Sequence, residues 1–135
     1  MTIARYVLDT NIITAILKKE PTVAGHVGEA LSANAEFLLC PVVFYEIYRG
    51  LAHTDAKKQL DFFLRYADTC TWDDLTKQDW QAAAKLWANL RQQGQSVQDS
   101  DLLIGVYAAQ RNAIVVTDNE KHLAALGVTV ENWRR

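Results

Sequence analysis

The chain has 135 residues, half of them hydrophobic and 22% charged, which excludes a disordered polymer and suits the packed core of a single domain, residues 1–135. Fourteen basic against sixteen acidic residues leave a net charge of −2, which is not the footprint of a simple basic nucleic-acid-binding module. No apolar run approaches the roughly 18 residues needed to cross a bilayer, and the first residues carry no secretory pattern. The chain therefore reads as cytoplasmic, with Cys40 and Cys70 as free buried thiols.

Ile3–Leu8 is apolar and β-prone and reads as a buried strand, with Asp9 directly after it. Asn11–Lys18 follows as a short helix with Ile12, Ile13, Ile16 and Leu17 inward. Pro21 opens a second helix with Val23, Val27, Ala30 and Leu31 at helical spacing. Phe37–Cys40 is a second strand, and Val42 to Ala52 is a helix carrying Glu46. Gly50 lies one turn from Glu46, where a glycine suggests close packing. Asp55–Ala67 forms a further helix with a stripe of Leu60, Phe63, Leu64 and Ala67, and Cys70–Trp72 a short third strand. Thr76–Gln93 is the longest helix, capped by Thr76 with Asp79 three residues on. Its expected core face is Trp80, Ala83, Ala84, Trp87 and Leu90, and Gly94 ends it. A helix from Asp99 to Arg111, a strand Ala113–Thr117, a short helix Asn119–Leu126 and a last strand at Val128–Val130 complete the order.

Strands alternating with helices predict an α/β fold, a three-layer α/β/α arrangement around a mostly parallel twisted sheet. Ligands of such sheets bind beyond the carboxyl ends of the strands. Asp9 and Asp118 both fall there, and so on one edge. Most of the sixteen acids, Asp79 among them, lie on polar faces or in turns and read as solvated or capping residues. Asp9, Glu46, Asp101 and Asp118 each adjoin an apolar run, where a carboxylate without a partner is costly to bury. A shared divalent cation, Mg²⁺ or Mn²⁺, would remove the repulsion among them, since these hard ions take oxygen ligands. His26, His53 and His122 are scattered and form no zinc pattern.

These pieces carry a family resemblance. Val7-Leu8-Asp9-Thr10-Asn11, Tyr45-Glu46-Ile47-Tyr48-Arg49-Gly50, Ser100-Asp101-Leu102-Leu103-Ile104-Gly105 and Ala113-Ile114-Val115-Val116-Thr117-Asp118-Asn119 occur in order across nearly the whole chain, with Gly127-Val128-Thr129-Val130-Glu131-Asn132-Trp133 at the end. The sequence resembles PIN-domain ribonucleases, and more closely the VapC toxins of type II toxin–antitoxin pairs. The resemblance implies a metal-dependent endoribonuclease that inhibits translation by cleaving RNA, with tRNA among the candidate targets. It implies Asp9, Glu46, Asp101 and Asp118 as the metal-binding and catalytic acids, and a homodimer held silent by a VapB-like antitoxin, with no membrane partner. The competing readings are a non-catalytic nucleic-acid- or phosphate-binding module of the same fold, and a different α/β enzyme such as an aspartyl-phosphate phosphotransferase.

Other residues have two readings each. Thr10 and Asn11 orient Asp9, or Asn11 caps the next helix; Arg49 holds a substrate phosphate or pairs with Glu46; Asn119, beside Thr117, assists Asp118 or caps a helix. Tyr45 and Tyr48 stack on bases, or serve as core or dimer contacts. Asp99 and Asp101 are two apart and cannot share one helical face, so Asp101 is assigned to the metal and Asp99 to the cap. Gly105 and Val106 stand where the family commonly has alanines. One ion or two is left open by the sequence.

Overall fold

A computed structural model describes residues 3–135. Five strands, β1 (Arg5–Leu8), β2 (Glu36–Leu39), β3 (Thr71–Trp72), β4 (Ile114–Val116) and β5 (Val130–Glu131), form one sheet in the order β3-β2-β1-β4-β5. Every pairing is parallel. Val7 of β1 sits between Leu38 of β2 and Val115 of β4, so the middle of the sheet is aliphatic on both sides. The helices are α1 (Thr10–Leu17), α2 (Pro21–Ser32), α3 (Pro41–His53), α4 (Lys57–Thr69), α5 (Lys77–Gln92), α6 (Asp99–Gln110) and α7 (Glu120–Ala124). They flank the sheet as the expected α/β/α layers. Among the described residues no helix is long and apolar enough to cross a membrane. Cys40 and Cys70 are both free.

The element order matches the sequence reading, with ends shifted by at most two residues. The first strand starts at Arg5, leaving Ile3 exposed, because pairing with β2 begins at Arg5 and Glu36. Helix α6 carries buried residues around most of its circumference, Leu102, Ile104, Gly105, Val106, Tyr107 and Ala108, which is the composition of an interior helix. A Cβ at Gly105 would come within 2.7 Å of Leu126 Cδ1, so the glycine lets the segment after α7 lie against α6.

Three packing expectations are corrected. Trp80 and Trp87 are 51% and 43% exposed, and Ala84 is exposed too. The inward residues of α5 are Asp79, Ala83 and Leu90, because Ala83 packs against Leu102 and Val106 of α6 while Asp79 turns in toward Arg111. Tyr45 and Tyr48 lie outside the core, since α3 turns Val43 and Ile47 inward. Gly50 packs against nothing: a Cβ there would meet no atom within 4 Å. Gly50→Ala is therefore expected to stabilise the fold by about 0.5–1 kcal/mol through helix propensity, measured by urea denaturation. A destabilised variant would show that the groove beside Gly50 needs the missing side chain.

Asp79 is 2% exposed rather than solvated. Its carboxylate accepts from the Thr76 backbone N–H at 2.8 Å and takes both Arg111 guanidinium nitrogens, at 3.0 and 2.8 Å. Thr76 completes the capping box by accepting from the Asp79 N–H at 3.2 Å. Arg111 also binds the Asp73 carboxylate at 2.6 Å and lies 3.8 Å from the centre of the Tyr107 ring. Burial alone would push the Asp79 carboxyl up, but Arg111 and Thr76 outweigh it and hold it below the ordinary range.

Candidate active site

The site lies where β1 and β4 end side by side. Leu8 is the last residue of β1, and the Asp9 N–H still bonds to Val116 O at 2.9 Å. Asp9 is also the N-cap of α1, its Oδ1 accepting from the Thr10 N–H at 2.8 Å and from the Thr10 hydroxyl at 3.3 Å. The fully buried Thr117 donates its hydroxyl to Asp9 Oδ2 at 2.8 Å. A carboxylate that is only 4% exposed is thus held from two strands at once. Asn11 does not cap the helix. Its Oδ1 accepts from the Asp118 N–H at 3.0 Å, which ties the segment after β1 to the segment after β4.

Glu46 and Asp101 reach the site from α3 and α6, which pack together. Burial is the main cause that raises the Glu46 carboxyl above its ordinary value, and the charges of Asp9 and Asp101 add to it. A Ser100 hydrogen bond and the Arg49 charge act in the opposite direction. The Asp101 carboxyl is raised by burial first and by Asp9 second, with His122 opposing. The three acids therefore feel one another across three separate elements. Arg49 lies 3.9 Å from Glu46 and is mostly exposed, with its guanidinium 5.0 Å from the Tyr45 ring centre. Its side chain pairs loosely with Glu46 and remains open to the solvent side.

Asp118 sits on the same edge but is differently engaged. Its carboxylate accepts from Asn132 Nδ2 and from Arg134 Nη1, each at 3.0 Å. Arg134 also reaches Glu20 at 3.1 Å. Asp118 is not among the charges that raise Glu46 or Asp101. The acids thus divide into a coupled three and a fourth held by the chain's own tail. Nothing in the sequence reading pointed to Asn132, Arg134 or Ser100, since such contacts depend on tertiary placement alone. Asn119 stands at the N-cap of α7 without a capping side-chain bond, and its N–H donates to Thr117 Oγ1 at 2.9 Å. Asp99 is not a cap either: Gln98 holds the extended cap conformation, and Asp99 is already the first helical residue.

Three hard oxygen donors, two of them with carboxyls raised by burial and by the neighbouring charge of Asp9, form a donor set suited to a divalent cation. Among the described residues no three His, Cys, Asp or Glu side chains are drawn close enough to enclose an ion by themselves. Like charges hold such groups apart, and Mg²⁺ commonly takes only one or two carboxylates beside its waters. The chemistry of the donors fits the ion, with a cage that is open rather than closed.

A parallel sheet of this order, with the buried Asp9 and the exposed Asp118 beyond the ends of its two central strands, defines a PIN-type α/β domain. The PIN domain family model matches residues 6–127, and the chain belongs to that family. Over 133 residues it is 29% identical to Ribonuclease VapC2 of Rickettsia felis, covering 95% of this chain and 97% of that protein. It is similar to the crystal structure of VapBC2 from Rickettsia felis bound to a DNA fragment from their promoter, with a TM-score of 0.81, 27% identity and 96% and 98% of the two chains covered. The fold also matches VapBC-1 from nontypeable Haemophilus influenzae, with a TM-score of 0.84, 22% identity and 97% and 99% coverage.

Proposed function

We propose that this chain is the ribonuclease toxin of a type II toxin–antitoxin pair, a single PIN domain that hydrolyses RNA phosphodiesters in the cytoplasm with Mg²⁺ or Mn²⁺. The observation that carries the reading is the coupling of Asp9, Glu46 and Asp101, brought from β1, α3 and α6 to one edge of the sheet. The similarity to Ribonuclease VapC2 over almost the entire chain supports RNA as the substrate.

Asp9, Glu46 and Asp101 would hold the cation, with Asp118 contributing from the outer side. A bound cation of this kind supplies Lewis-acid stabilisation of the charge on the scissile phosphate and activates water. The chain supplies the rest. Thr117 and the Thr10 N–H fix the Asp9 carboxylate before any ligand arrives, so no reorganisation is needed on binding. Asn11 holds the two strand ends in register. Arg49, one turn from Glu46 on an exposed face, is placed to meet a substrate phosphate. Cleavage of RNA by the purified chain is expected to stop with excess chelator and to return with Mg²⁺ or Mn²⁺. Undiminished cleavage in chelator would sink the metal reading.

The partner reading rests on surface chemistry and on relatives solved as VapBC complexes. Tyr45 and Tyr48 stand exposed one turn apart on α3, the kind of apolar surface that marks a binding face. We read this face as the seat of a VapB-like antitoxin on a homodimer of the chain. Tyr45→Ser with Tyr48→Ser should weaken the co-purified complex roughly tenfold or more while RNA cleavage by the free chain is kept. An unchanged complex would place the antitoxin elsewhere.

A further inference from the structure

Asp101 also borders a groove that none of the other three acids lines. It holds about 730 Å³ and runs between the loop Gln95–Gln98 and α7, with Asp101 at one end. Its floor includes Leu90, Val97 and Leu126, and its rim carries Lys121 and His122. The loop before α6 supplies amides rather than charges, so the cation of the groove wall is Lys121 of α7.

His122 is not free to wander. Its Nδ1 meets Asn119 Oδ1, an acceptor, so Nδ1 carries the proton. The Asn119 N–H is bound by Thr117 Oγ1, and that hydroxyl donates to Asp9. The backbone of Asn119 is thus anchored to the buried acid through Thr117, and its side chain meets the imidazole on the groove wall. That contact fixes the ring and leaves Nε2 for a ligand. A hydroxyl both donates and accepts, so it pairs with Nε2 whether the ring is neutral or protonated.

We propose that this groove takes the RNA strand next to the scissile phosphate, with Lys121 on a phosphate and His122 Nε2 on a ribose 2′-hydroxyl. The proposal rests on the ribonuclease reading and deepens it, because the 2′-hydroxyl is the group that separates RNA from DNA. Three observations converge on a nucleic-acid strand as the occupant. The groove is continuous with Asp101, Lys121 on its rim complements a polyanion, and its apolar floor suits base faces.

The test uses the full chain with Mg²⁺ and single-stranded oligoribonucleotides, all-ribose or with one 2′-deoxy position moved along the strand. In the wild type, one deoxy position beside the cleavage point is expected to raise KM about tenfold, on the scale of one lost hydrogen bond to a buried or charged partner. In His122→Phe the all-ribose substrate should show that KM, and the deoxy substitution should add nothing. Lys121→Gln should raise KM for every oligonucleotide alike. It should also flatten the dependence of log(kcat/KM) on log salt by roughly 0.7, the share of one phosphate contact on a single strand. His53→Gln, at the far end of α3, serves as the histidine control. A wild type with no position-specific deoxy effect, or a His122→Phe protein that keeps it, overturns the proposal while leaving the nuclease reading intact. A wild type that cleaves no RNA with Mg²⁺ overturns both.

Discussion

Asp9→Asn and Asp101→Asn are each expected to lower the rate of RNA cleavage on the order of 100-fold or more, with the fold retained. Loss of even an outer partner of a metal ligand typically costs roughly 10–100-fold, and these residues are read as the ligands themselves. Glu46→Gln should follow them. Asp118→Asn should cost less, because that carboxylate is already engaged by Asn132 and Arg134. Asp99→Asn should leave cleavage near normal, since Asp99 begins α6 on an exposed face. The same variants carry a stability signature of opposite sign to their activity. Burial and mutual repulsion raise Glu46 and Asp101 in the folded state, so the fold binds their protons more tightly than the unfolded chain does. The stability this contributes is full below the ordinary carboxylate range and is lost as pH rises through the raised values. At neutral pH without metal, Asp101→Asn should therefore melt no lower than the wild type. Added Mg²⁺ should raise the melting temperature of the wild type more than that of the variant. An Asp101→Asn protein that cleaves RNA normally would remove Asp101 from the site.

Asp79→Ala is expected to be the most destabilising single change described here. It strips the capping box from α5, worth about 1 kcal/mol. It also leaves Arg111, only 9% exposed at its side chain, without its buried partner. Breaking a buried pair in this way costs about 3–5 kcal/mol. The melting temperature should fall by roughly 10 °C or more. Asp73→Asn removes the half-exposed partner of the same guanidinium and should cost far less. The acid dependence runs opposite to that of the active-site carboxylates. Asp79 is held below its ordinary value, so its contribution is present above the ordinary carboxylate range and is lost as pH falls through the lowered value. Thermal melts of wild type and Asp79→Ala from pH 7 down to pH 2 should converge. A change of less than about 2 °C at pH 7 would mean that Arg111 finds adequate partners in Asp73 and the backbone.

The site was legible where local chemistry was anomalous. Asp9, Glu46 and Asp101 each place a charge against an apolar run, and the alternation of strands and helices put Asp9 at a strand end. The parallel sheet followed from the same alternation. What stayed hidden depends on how one element rotates against another. Ala83 and Leu90 of the expected α5 face do turn inward, while Trp80, Ala84 and Trp87 do not. The packing of Ala83 on α6 and the pull of Arg111 on Asp79, 32 residues apart, set that rotation. Asp79 looked like an ordinary capping residue because its buried partner is remote in sequence. The hold of Arg134 on Asp118 is invisible for the same reason. Gly50 misled because its helical position is unfavourable on propensity, yet no neighbour requires it.

The hydrogen bond from Thr117 to Asp9 joins residues 108 apart in the chain. Strand β1 lies at the centre of the sheet, yet one of its two neighbours, β4, leaves the ribosome long after it. Synthesis at roughly 5–20 residues per second leaves the first acid without its supporting threonine for several seconds after it emerges. A nascent chain stalled or truncated before Thr117 would carry the motifs of a nuclease without a formed site. The topology thus acts as a timer: the first acid gains its support only once the strand beside it has been made.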